Sequence, residues 1–159
     1  MFIVSVFLAT AITLPAMAGE PVGSEAPASV AAGAEGYCLV LKIEGIRNDE
    51  GLMRIAVFGN AEDFEHSRDP AVDVSLQADP AGISHRLCGL SPGRWGLAVF
   101  HDEDVDMELD TFFGIPREGF GFSLNPRIIK GKPGFDDVGF EIGTAAGEYP
   151  QTIQMNYLL

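Results

Sequence analysis

The chain has 159 residues, 47% of them hydrophobic, which suits one folded domain of ordinary size and excludes a disordered chain. Its 10 Lys and Arg stand against 23 Asp and Glu, a formal charge of -13. That balance excludes nucleic acid and anionic membrane faces as partners, because phosphate binding needs a basic surface, and it favours cations.

Residues 2–14 are an apolar run, followed by the small-x-small triplet Ala16-Met17-Ala18. The run is short for a membrane-spanning helix and has the form of a secretory signal peptide over residues 1–18. Cleavage would start the exported chain near Gly19, in the periplasm or outside the cell, with no transmembrane span left. Residues 19–36 are rich in Gly, Ala, Pro, Ser and Glu and lack large apolar side chains, so they read as a flexible linker. The folded domain is expected over residues 37–159. In an oxidising compartment Cys38 and Cys88 have one intramolecular pairing open to them. The sequence leaves both a disulfide and two partly buried free thiols standing.

Alternation of apolar and polar residues predicts strands in chain order. YCLVLKIEGI places Tyr37, Leu39, Leu41 and Ile43 on one face. GLMRIAVFGN follows after a turn at IRNDEG, and the two read as an antiparallel hairpin. Residues 60–68 have room for one short helical turn. Short strands are expected over 71–76 and within AGISHRLCGL, then a turn at Ser91-Pro92-Gly93-Arg94. Residues 94–100 continue as a strand, with Trp95, Leu97 and Val99 sharing a face. Residues 137–142 and 151–157 close the chain as strands. No stretch carries sustained helical periodicity. The pattern predicts an all-β fold: an antiparallel β-sandwich of about seven strands, with immunoglobulin-like layering.

One segment carries chemistry. HDEDVDMELDTFFGIPREGFGFS, residues 101–123, crowds six acidic side chains into residues 102–110. A hard cation such as Ca²⁺ takes several oxygen ligands from a short loop with alternating carboxylates. Asp102, Asp104 and Asp106 occupy the first, third and fifth places of such a loop. The Glu108 carbonyl falls at the seventh and Asp110 at the ninth. Met107 stands where Gly usually makes the sharp turn, and Phe113 where a bidentate Glu usually sits. Glu118, Asp136 and Asp137 are more distant donors. The competing reading is a solvated acidic turn.

The Gly/Pro/Phe part reads first as a long connection that folds back and plugs the end of the sandwich with Phe112, Phe113, Phe120 and Phe122. The alternative is an exposed aromatic platform for a sugar or peptide. Catalysis has little support. His101 and Asp102 are neighbours on a strand and point to opposite faces. Ser123 and Cys88 lie in no nucleophile motif, and His66 and His85 have no metal-ligand spacing with His101.

The runs LCGLSPGRWGLAVFHDEDVDMELDTFFGIPREGFGFS, KGKPGFDDVGFEI and TIQMNYL, in that order, resemble the DUF2141 family of exported bacterial proteins. The resemblance spans roughly residues 37–157. Asp104 and Asp106 stand where that family commonly has Asn, Met107 where it has Gly, and Trp95 where it has Tyr. The resemblance implies a prealbumin-like or carboxypeptidase-regulatory-like β-sandwich in the periplasm or at the cell surface, and no set activity. The expectation is therefore an exported, non-enzymatic β-sandwich whose acidic loop holds Ca²⁺ through Asp102, Asp104, Asp106, Glu108 and Asp110. The alternative is a carbohydrate- or peptide-binding module of the envelope that uses Trp95 or the loop phenylalanines.

Overall fold

The computed structural model describes residues 36–129 and 131–159. The expected leader and all of the expected linker except Gly36 lie outside the described residues. Strand β1 (Tyr37–Glu44) buries Leu39, Leu41 and Ile43 completely, and β2 (Leu52–Phe58) does the same with Met53, Ile55 and Val57. Period-two burial is what a strand with one inner face requires. Helix α1 (Ala61–His66) fills the expected helical turn; the Asn60 side chain caps it by accepting from the Asp63 N–H at 2.9 Å.

Strands β3 (Val72–Gln77), β4 (Ile83–Cys88) and β5 (Gly93–Asp102) come next. The small hairpin β6 (Thr111–Phe112) and β7 (Ile115–Pro116) precedes β8 (Gly119–Phe122). A helical turn α2 (Phe135–Val138), β9 (Phe140–Ile142) and β10 (Gly147–Gln154) complete the chain.

The fold is all-β. One sheet has the order β10-β1-β4; the other has the order β3-β2-β5-β8, with β9 paired to the start of β5. Their inner faces share one core, in which Leu41, Ile43 and Ile153 of the first sheet meet Ile55, Leu97 and Val99 of the second. Each such side chain contributes roughly 1.5–3 kcal/mol by leaving water, so this layer contact dominates the stability.

Pairing departs from the sequence expectation in three places. First, β1 and β2 do not form a hairpin. They lie in different sheets, because both carry a fully apolar face and bury those faces toward each other across the core. The connector over 45–51 crosses between the layers, with Ile46 buried on the way. Second, β1 and β10 run parallel, against an otherwise antiparallel fold. Pro150, which has no N–H for a ladder, is tolerated because β10 is an edge strand. Third, Asp137 and Val138 belong to α2 and not to a strand. Phe135 and Val138, three apart on one helical face, cover Gly96 of β5, where an added Cβ would lie 2.7 Å from the Phe135 ring. The named strands number ten rather than seven, and the last one begins earlier than expected.

The outer face of the larger sheet carries a second core of Phe58, Phe64, Phe120, Phe122, Phe135 and Val138. Phe64 meets Phe58 edge-on at 5.5 Å between centroids, a favoured aromatic geometry. Cys38 and Cys88, directly opposed on β1 and β4, form a disulfide, which closes the question the sequence left open.

Candidate metal centre

Strand β5 delivers the acidic loop. Its outer row is Ala98, Phe100 and Asp102, and its inner row is Leu97, Val99 and His101, as strand alternation demands. His101 and Asp102 are both fully buried. The His101 ring is used on both sides. Nε2 lies 2.7 Å from the Glu50 carbonyl and Nδ1 lies 2.9 Å from the Tyr157 hydroxyl. A carbonyl only accepts, so Nε2 carries the proton, and in the neutral ring Nδ1 accepts from Tyr157. This histidine ties the β1–β2 connector to the C-terminus.

Asp102 organises the loop around itself. Its Oδ1 accepts from the Asp106 N–H at 3.1 Å and its Oδ2 from the Met107 N–H at 3.2 Å. The Asp106 carboxylate in turn accepts from the Glu108 N–H at 2.8 Å. The curl needs left-handed backbone at Val105 (φ 62°) and Met107 (φ 71°). Met107 therefore adopts the conformation for which Gly is the usual choice.

Glu118 closes the loop. One carboxylate oxygen accepts from the Glu103 N–H at 2.8 Å, and the other from the Asp110 N–H at 3.1 Å. Burial, with only 4% of the residue exposed, pushes the Glu118 carboxyl above its ordinary value. The two backbone N–H groups oppose that shift, and the Asp102 and Asp104 charges add to it.

Glu103 faces the other way. Its carboxylate accepts from the Arg47 guanidinium and from Asn48 Nδ2 at 2.7 Å. The Arg47 hydrogen bond holds it below the usual carboxylate range. The connector also meets the loop at Gly51 (φ +64°), where any Cβ would run into the Asp102 carbonyl.

Asp102, Asp104 and Asp106 each offer a carboxylate oxygen, and these oxygens all lie within 4.8 Å of one another. Oxygens held around one Ca²⁺ at 2.3–2.6 Å lie at most about 5 Å apart, so the three fit a single ion. Without one they repel, by roughly 1–4 kcal/mol per close pair depending on solvent screening.

The Glu108 and Asp110 side chains do not join the cluster. Past Met107 the chain leaves the curl toward Glu118, to which Asp110 is bound through its N–H. Asp136 pairs with Arg94 at 2.8 Å, and Asp137 accepts from the Gly134 N–H, so both distant donors are engaged elsewhere. The structure adds the Glu118 clamp and the Arg47–Glu103 brace, which the sequence did not expose. Glu118 stood there only as a distant donor, and Arg47 lay in what read as a plain turn.

The remaining candidates have structural partners. Ser123 Oγ accepts from the Leu97 N–H and donates to the Val138 carbonyl at 2.6 Å. Trp95 packs on the core and donates Nε1–H to the Ser91 carbonyl at 2.9 Å. The phenylalanines divide. Phe120 and Phe122 are buried in the second core on the outer face of the larger sheet, Phe112 and Phe113 are 57% and 91% exposed at the β6–β7 hairpin, and none of the four plugs the end of the fold. The tight turn at Phe113 (φ 51°) and Gly114 (φ 77°) turns Phe112 and Phe113 out.

Among the described residues no helix is long and apolar enough to cross a membrane. No curated protein and no solved structure matches the chain. One family model matches, over residues 41–149, and is described as an uncharacterized protein conserved in bacteria (DUF2141).

Proposed function

We propose that this chain, which belongs to the DUF2141 family of bacterial proteins, is an exported, non-enzymatic β-domain whose acidic loop holds a divalent cation, Ca²⁺. The observation that carries the proposal is that carboxylate oxygens of Asp102, Asp104 and Asp106 lie within 4.8 Å of one another. The sequence pattern offers the Glu108 carbonyl and Asp110 as further ligands, and the Asp110 side chain would have to move into the cluster to serve as one. The hydrogen bonds that wrap the loop around Asp102 support the proposal, because a preformed loop needs little ordering when the ion binds. The disulfide supports export, since such bonds persist in oxidising compartments. The two facing sheets are read as a prealbumin-like sandwich.

Calorimetric titration with Ca²⁺ is the test. Saturable heat is expected in the wild type, with strong weakening in the Asp104→Ala/Asp106→Ala double variant. No heat and no thermal shift at millimolar Ca²⁺ would sink the proposal. Export is checked separately by mass spectrometry of the periplasmic protein, where a chain starting at Gly19 is expected.

A second reading has its own observation. Phe112 and Phe113 form an exposed edge-to-face pair, centroids 4.6 Å apart, at the hairpin tip. Such a pair suits a carbohydrate or peptide of the envelope. A glycan and peptide array probed with wild type and with Phe112→Ser/Phe113→Ser decides it. Signals that survive the double substitution exclude this contact.

A further inference from the structure

On the outer face of the larger sheet the aromatic cover stops short and leaves a groove of about 580 Å³. Ala98, Phe100 and Phe120 form its floor, and Met107, Ile129 and Lys132 stand at its walls. The size is that of a small-molecule pocket, and the apolar floor calls for hydrocarbon.

One wall group is a cation. Lys132 Nζ donates to the Phe64 carbonyl and to Ser67 Oγ at 2.8 Å, and it lies 4.3 Å from the Phe64 ring centroid. An ammonium has three donors, so one remains for a ligand. Lys42, Arg47, Arg68, Arg86 and Arg94 each reach a carboxylate; among the described residues Lys132, like Arg54, Arg117 and Arg127, makes no such pair, although the Glu65 charge acts on it from beyond pairing distance. Desolvation lowers its pKa, and the Glu65 carboxylate partly opposes that shift.

A second cation borders the same face. Arg54 is the register partner of Phe100, and its Nε is buried without a hydrogen-bond partner among the described residues. A buried donor left unmatched is costly unless something completes it. On a chain of formal charge -13, an ammonium without a paired carboxylate at the wall of an apolar groove matches an anion with a hydrocarbon tail.

We propose that this groove binds a free long-chain fatty acid, with its carboxylate on Lys132 and its chain over Phe100 and Phe120. The test titrates the full chain with cis-parinarate, a fluorescent fatty acid, then displaces it with palmitate or with neutral palmitamide. Saturable one-to-one binding is expected, with palmitate about tenfold stronger than palmitamide, the worth of one charge-assisted contact. Lys132→Gln should remove that difference by weakening palmitate alone, and Ala98→Phe should block both ligands. Lys132 is exposed, so its variant keeps the test decisive even if Ala98→Phe fails to fold.

Absence of saturable binding overturns the proposal, as does equal affinity for palmitate and palmitamide. Binding to anionic vesicles without binding to palmitate in solution assigns the groove to a membrane surface instead. A concentration-dependent dimer that Ala98→Phe abolishes, with no fatty-acid binding, assigns it to a second copy of the chain.

Discussion

Met107 shows how much one residue tells about the acidic loop. From sequence it looked like an obstacle, because Gly normally makes the turn at that place. In the structure the left-handed turn survives with Met in it, held by the N–H that Asp102 accepts. A left-handed L-residue costs roughly 1–2 kcal/mol, and Gly returns part of that through greater freedom in the unfolded chain. Met107→Gly should therefore stabilise the protein by about 0.5–1 kcal/mol in chemical denaturation; a lower midpoint would show that no strain is stored there. Gly51 makes the opposite case. Gly51→Ala drives a methyl into the Asp102 carbonyl. It should cost at least ~1 kcal/mol of stability and weaken the proposed Ca²⁺ binding, and an unchanged titration would uncouple the connector from the loop. The three aspartates were legible from their alternate spacing alone. The groups that hold them in place were not, since Glu118 and Gly51 reach the loop only through the fold.

At the level of elements, period-two patterns located most strands, because burial of one face leaves a local mark. Partners leave none. Leu39, Leu41 and Ile43 announce that β1 has an inner face, but not that Met53, Ile55 and Val57 lie across the core from it instead of beside it. Helical turn α2 is too short to show a period, and its role rests on Gly96 far upstream. The β6–β7 hairpin and β8 gain importance from the Glu118 clamp, which straps the two ends of the acidic loop together. Glu118→Ala leaves the Glu103 and Asp110 N–H groups without their acceptor. Hydrogen exchange at those two amides should accelerate about tenfold or more, while amides of the β1–β10 ladder stay protected. Equal protection at all of them would mean the loop is held some other way.

The whole molecule is fastened across long stretches of sequence. The parallel β1–β10 ladder joins the two ends of the domain, and no local pattern could have foretold it. The Cys38–Cys88 bond closes a loop with a sequence separation of 50. Chain entropy assigns such a closure about 4 kcal/mol, and measured values fall near 2–4. Replacing both cysteines with Ala should lower unfolding free energy by that amount in a urea titration under oxidising conditions. A loss below ~1 kcal/mol would mean that the reduced chain stays compact when unfolded.

The acidic loop has a second periodicity besides its carboxylates. Val105, Met107 and Leu109 alternate with Asp104, Asp106 and Glu108, and both Met107 and Leu109 reach the groove on the outer sheet face. One short stretch of backbone thus borders both the aspartate cluster and the groove, the two proposed sites. Thermodynamic reciprocity then fixes a relation between their ligands: whatever factor Ca²⁺ adds to the affinity for a groove ligand, that ligand must add to the affinity for Ca²⁺. Paired titrations, each with the other ligand saturating, measure that common factor. A value of one would make the sites independent; any larger value would make this loop a coincidence detector, closed most firmly when ion and ligand are both present.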